Sequence, residues 1–151
     1  PEFSPGKRMD FWAEIITSLT VIALFVWLIW GAAAEGRFDG PEGPMLWARQ
    51  VLWMIPVGIV VAIGVSVVMA IGYRLVTGED PDDLTDERDR QIRATGWQVT
   101  AGAMSAGFIA ALVALALGAP LMAGLNGMLA SFALGDTMGN LAKLARYRQG
   151  G

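Results

Sequence analysis

The chain has 151 residues, of which 54% are apolar and 17% charged, with a net charge of −3 and a mean hydropathy of +0.49. It contains neither Cys nor His. This excludes disulfides, thiolate metal sites and cysteine nucleophiles, and it removes the commonest zinc ligand and the usual general base. The acidic balance argues against a nucleic-acid partner, because duplex binding needs a basic face.

Residues 1–8 are expected to be a vector-derived or disordered leader, with the natural chain starting at Met9. The first apolar segment covers 11–34 and is apolar all round, as in Val21-Ile22-Ala23-Leu24-Phe25-Val26-Trp27-Leu28-Ile29-Trp30. A soluble amphipathic helix would show a polar face. About 20 apolar residues of helix cross a bilayer core of about 30 Å. The segment is also longer than the h-region of a signal peptide, about 7–15 residues. Glu35 to Pro44 then forms a Gly/Pro-punctuated turn containing Phe38. The second helix is expected over 46–76, kinked near Pro56, with Arg49 and Gln50 snorkelling or structural near its start.

The stretch from Gly78 to Asp89 is strongly acidic. Asp83 or Thr85 is placed to N-cap the next helix, and Asp86–Arg90 and Asp89–Arg93 stand at the stabilising i,i+4 spacing, acid first. A solvated helix cap explains this run better than a hard-cation site, since its spacing is not that of an EF-hand and Pro81 interrupts it. No metal or cofactor is expected, and the eight scattered Met residues read as gap-fillers. The third apolar helix is expected over 96–117, the fourth over 121–144, joined by the tight turn Gly118-Ala119-Pro120. Gly102-x-x-x-Ala106 and Ala103-x-x-x-Gly107 in helix three, and Gly135-x-x-x-Gly139 in helix four, let helices approach closely in lipid. Either helix-on-helix packing or a homodimer through these faces would use them.

The fold expected is an all-α polytopic membrane domain, residues 9–151, of four transmembrane helices in two antiparallel hairpins. Arg74, Arg88, Arg90 and Arg93 flank the central connection, and Lys143, Arg146 and Arg148 the carboxyl end, against only Arg37 and Arg49 on the other side. The positive-inside rule therefore puts both termini and the central loop in the cytoplasm, with the chain in a cell (inner) membrane. Trp12, Trp97, Tyr73 and Tyr147 are expected at the inner boundary, and Trp27, Trp30 and Trp47 toward the outer one. A faint parallel repeat pairs Pro44 with Pro120 and Tyr73-Arg74 with Tyr147-Arg148.

Asp136 is the most informative single residue, because an ionised carboxylate in a span is costly and defaults to a functional hypothesis. Asn140 shares its face four residues on, and Glu14 and Gln98 lie at comparable depth, so the four define a candidate proton, cation or ligand site. The structural alternatives are interhelical glue for Asp136 and Asn140, and headgroup water for Glu14. Asn126, higher in helix four, also reads as glue. The charged motif Asp86, Glu87, Arg88, Asp89 and Arg90 is the candidate cytoplasmic interaction surface.

Asp86-Glu87-Arg88-Asp89-Arg90-Gln91-Ile92 before an apolar helix, together with the end Leu144-Ala145-Arg146-Tyr147-Arg148, resembles an uncharacterised family of small four-helix bacterial membrane proteins. The resemblance implies a fold and carries no activity. No catalytic constellation is present, so an enzyme is not expected. Two functions remain: a structural, sensory or interaction role through the cytoplasmic loop, or a transporter using Asp136 as coupling carboxylate.

Overall fold

A computed structural model of the chain describes residues 5–78 and 87–149. The described residues form four helices, α1 (Pro5–Ala34), α2 (Gly43–Thr77), α3 (Glu87–Ala116) and α4 (Leu121–Gln149). Phe11–Ala34 of α1, all of α2 and all of α3 are long and apolar enough to cross a membrane. The chain divides into two compact units, one holding α1 and α2 and the other α3 and α4.

All four helices are longer than their apolar runs, α2 by only a few residues. α1 begins at Pro5, α3 begins nine residues before Gly96, and α4 continues five residues past Leu144. Charge does not stop a helix, since Arg, Lys, Gln and Glu are all good helix formers. The acidic stretch 79–86, the candidate caps Asp83 and Thr85, and the Asp86–Arg90 pair lie outside the described residues.

In the first unit α1 packs on α2. Gly58 provides the close approach, because a Cβ there would lie 3.0 Å from Phe25 Cε1 and 3.5 Å from Val21 Cγ1. Met54, one turn away, is 1% exposed. Helix α2 runs through Pro56 as one 35-residue element. Because proline has no N–H, the Leu52 carbonyl lacks its usual i+4 donor. Between the helices Arg37 pairs with Glu35 at 2.7 Å, and Gly43 sits so close to the Phe38 carbonyl that no Cβ would fit. Phe38 and Trp47 are both buried. Trp47, expected at the lipid boundary, therefore serves packing, whereas Trp27 and Trp30 are 70% and 75% exposed.

The second unit is a small-residue groove. Contacts across it pair Gly96 with Lys143, Thr100 with Gly139, Met104 with Gly135, Gly107 with Ser131, Ala111 with Gly127, and Leu115 with Gly124. The paired numbers add to 238 or 239 throughout, so α3 and α4 run in opposite directions in one unbroken register. At all six levels a glycine of one helix meets a larger neighbour on the other, and two reach the α3 backbone as well: a Cβ would lie 2.9 Å from Gly96 O at Gly139 and 2.9 Å from Thr100 O at Gly135. The turn is closed by Gly118 at φ 93°, with Gly118 N–H donating to Leu115 O and Ala119 N–H to Ala114 O. This left-handed residue ends α3 without strain because glycine has no Cβ.

Six hydroxyls donate back to their own helix: Thr20, Ser66, Thr77, Thr95 and Thr137 to the carbonyl four residues earlier, and Ser131 to the one three earlier. For those within the apolar segments no water would be present in hydrocarbon, so local bonding of this kind suits a helix in lipid.

Candidate functional site

The groove between α3 and α4 carries the polar groups. Along α4, Asp136, Asn140, Lys143 and Tyr147 recur at helical spacing on the face turned to α3, beside Gly135 and Gly139. Asn140 is 7% exposed and Ser131 2%, while Asp136, Lys143 and Tyr147 are half-buried. Asn140 Nδ2 donates to Asp136 Oδ2 at 3.5 Å, and Lys143 Nζ donates to Asn140 Oδ1 at 3.4 Å. The bonds are long, hence individually weak. Together they link a carboxylate to an ammonium through one amide, so opposite charges lie on the same face of one helix.

Glycine makes room for this arrangement. The stem of Lys143 lies over Gly96, where a Cβ would come within 2.6 Å of Cγ and 2.7 Å of Cε. The aliphatic part of the lysine thus covers the helix backbone while its amine reaches Asn140.

One turn further, Tyr147 Oη donates to Asp89 Oδ1 at 3.4 Å and ties the last turn of α4 to the first of α3. Glu87 pairs with Arg90 at 3.3 Å on the surface. Arg88, Arg90, Arg93, Arg146 and Arg148 are all exposed around this joined end. Residues 87–97 and 143–149 hold six basic and two acidic side chains, a local charge of +4 within a chain of net −3.

Asp136 and Asn140 are brought together. Gln98 is exposed and lies two residues from both Gly96 and Thr100, hence on the side of α3 away from α4. Glu14 is exposed on α1, in the other compact unit. Of the charged motif, Glu87, Arg88, Asp89 and Arg90 form the first turn of α3, and Asp86 lies outside the described residues. The glycine face of α4 offered for a homodimer is occupied by α3, whereas Gly102 has nothing within 4 Å of a built Cβ and stays open. Among the described residues no group of three acidic side chains is placed to hold a metal.

Two contributors escape a reading from sequence: the Lys143 stem over Gly96, and the Tyr147–Asp89 tie. The available signal was the spacing of Lys143 and Tyr147 in phase with Asp136 and Asn140. No family model, curated protein or solved structure matches this chain.

Proposed function

We propose that this is a four-span membrane protein of the structural or interaction type, which presents a charged two-helix stub to the cytoplasm. The observation that carries the reading is the continuation of α3 and α4 past their apolar segments as paired helices joined by Tyr147 and Asp89. A flexible charged tail would not need that tie. A rigid stub with exposed Arg88 and Arg90 suits recognition of a partner.

The frame comes from the tryptophans. Trp12 and Trp30 are exposed on one continuous helix and 18 residues apart, about 27 Å at 1.5 Å per residue. That matches the thickness of a hydrocarbon core, with an aromatic at each boundary. On α3, Trp97 to Leu117 covers about 30 Å. In the α3–α4 register Trp97 stands level with Ala142, so Leu121–Ala142 of α4 covers a similar distance.

Helix α4 falls short of the hydropathy of a span because Ser131, Asp136, Asn140 and four glycines count against it. Most of those groups face α3. The outward side carries Leu121, Phe132, Leu134, Met138 and Leu141, each about half exposed or more. Lipid would meet a surface that is apolar apart from exposed Asn126, and α4 would span as the second arm of a hairpin with α3, as α2 would with α1. Both termini would then lie in the cytoplasm.

Single-cysteine labelling tests this cleanly because the chain has no native Cys. In sealed vesicles Ala119→Cys and Ala145→Cys should react with an impermeant maleimide from opposite sides. Labelling of both from one side would overturn the fourth span. For the interaction role, Arg88→Glu with Arg90→Glu should abolish photo-crosslinking from a probe at position 91, while Asp136→Asn should leave it intact.

The transport alternative keeps one favourable observation, a half-buried Asp136 about 9 Å inside the Trp97 level. It expects proton or cation flux in proteoliposomes that Asp136→Asn abolishes.

A further inference from the structure

The basic residues of the stub are not evenly distributed along it. Arg90, Arg93 and Trp97 stand at i, i+3 and i+7, on one face of α3, and all three are exposed. Trp97 is 70% exposed at the level taken as the end of the hydrocarbon. Arg93 is four residues further out, about 6 Å along the axis, and Arg90 about 10 Å. The register of the helix pair puts Arg146 level with Arg93. The headgroup region adds roughly 5–7 Å to each side of the apolar core. Arg93 and Arg146 therefore lie at the depth of lipid phosphates, with an indole beneath one of them.

The acids of the stub are engaged elsewhere, Glu87 with Arg90 and Asp89 with Tyr147. Guanidinium groups bind phosphate through two parallel N–H bonds, and the negative surface potential of an anionic leaflet draws basic residues to it. We infer that Arg93 and Arg146, with Trp97 below, form a binding collar for the headgroups of anionic phospholipids on the cytoplasmic leaflet. The collar rests on the four-span reading, because only a spanning α4 holds Arg146 at that depth. Its purpose is mechanical. Lipids held at both helices fix the height of the stub, and with it the position of Arg88 and Arg90 above the membrane.

The test uses the purified full chain in a neutral detergent, titrated with phosphatidylglycerol, phosphatidylcholine or inorganic phosphate, with thermal unfolding as readout. Phosphatidylglycerol should stabilise at a lower concentration than phosphatidylcholine, and millimolar inorganic phosphate should not substitute for it. Arg93→Gln with Arg146→Gln should raise the half-saturating concentration of phosphatidylglycerol about fivefold per arginine, as expected for exposed basic residues at an anionic surface. It should leave the lipid-free midpoint unchanged, because both side chains are exposed. Arg93→Lys with Arg146→Lys should keep part of the response, retaining charge without the bidentate fork.

Equal responses to the two lipids, or an unchanged titration in the Gln variant, would overturn the collar. Protection by inorganic phosphate as effective as that by phosphatidylglycerol would also overturn it, pointing to a soluble phosphate ligand. Failure of the four-span reading is scored separately, by the Ala119→Cys and Ala145→Cys labelling.

Discussion

Replacing Gly139 by alanine should separate α3 from α4, although alanine is the better helix former. The new Cβ would fall on Thr100 Oγ1 and lie 2.9 Å from Gly96 O. The threonine can rotate away, but the Gly96 carbonyl belongs to a helix backbone and moves only if the helices part. Overpacking of this kind costs about 1–3 kcal/mol. Against it stands a gain of about 0.8–1 kcal/mol in helix propensity. The net loss is then roughly 0–2 kcal/mol, or up to about 8 °C at roughly 2–4 °C per kcal/mol for a chain of this size.

Gly102→Ala supplies the control. It makes the same chemical change in the same helix pair, but a built Cβ there meets nothing within 4 Å. It should raise stability by up to about 1 kcal/mol through propensity alone. The two variants should therefore move the thermal midpoint in opposite directions, read by tryptophan fluorescence in detergent. Thr100→Ala combined with Gly139→Ala should recover part of the loss, since it removes the side-chain clash and leaves the backbone one. Midpoints for Gly139→Ala and Gly102→Ala that rise equally would refute the groove.

Other substitutions follow from the same contacts. Gly96→Ala should cost less than Gly139→Ala, because it displaces only flexible methylenes of Lys143; comparative thermal unfolding of the two variants checks the order. Tyr147→Phe removes a long hydrogen bond worth at most about 1 kcal/mol. It should leave the global midpoint nearly unchanged while raising hydrogen exchange over residues 143–149. Asp136→Asn should keep the fold, with a shift in midpoint of about 1 kcal/mol or less, since the amide can still accept from Asn140. A collapse of the midpoint in that variant would show that the carboxylate is required for packing.

The apolar runs announced the helices, but not their ends. Runs rich in Leu, Ile and Val mark α1 and α2 plainly, and the turn at Gly118-Ala119-Pro120 marks the close of α3. The outward continuation of α3 through Glu87–Thr95 was invisible to hydropathy, which reports burial in lipid, but was marked by the candidate caps and the i,i+4 charge spacing before Gly96. The small residues of α3 presented two stripes one residue apart, each repeating at four residues, and only helix phase decides between them. Ala103 and Gly107 turn toward α4, in step with Gly96, Thr100 and Ala111, while Gly102 and Ala106 turn outward. The grouping of Asp136 with Asn140 followed from i,i+4 spacing. The expected grouping of Gln98 with them did not, since sequence depth along an axis says nothing about azimuth.

The constant register of α3 and α4 has an alternative. A slide of four residues, one helical turn or about 5.4 Å, would bring Gly96 opposite Gly139, Thr100 opposite Gly135 and Ala111 opposite Gly124. Small residues would face one another at three of the six levels, with Met104 against Ser131, Met128 against Gly107 and Leu115 against Pro120 as the misfits. The seam would thus offer a second, poorer stop one turn away, the kind of spacing at which packed helices ratchet. What holds the present stop is the shortness of the connection, four residues from Leu117 to Pro120 with both ends hydrogen-bonded. Lengthening that connection would free the seam, and the charged stub would rise or sink by one notch relative to its partner helix.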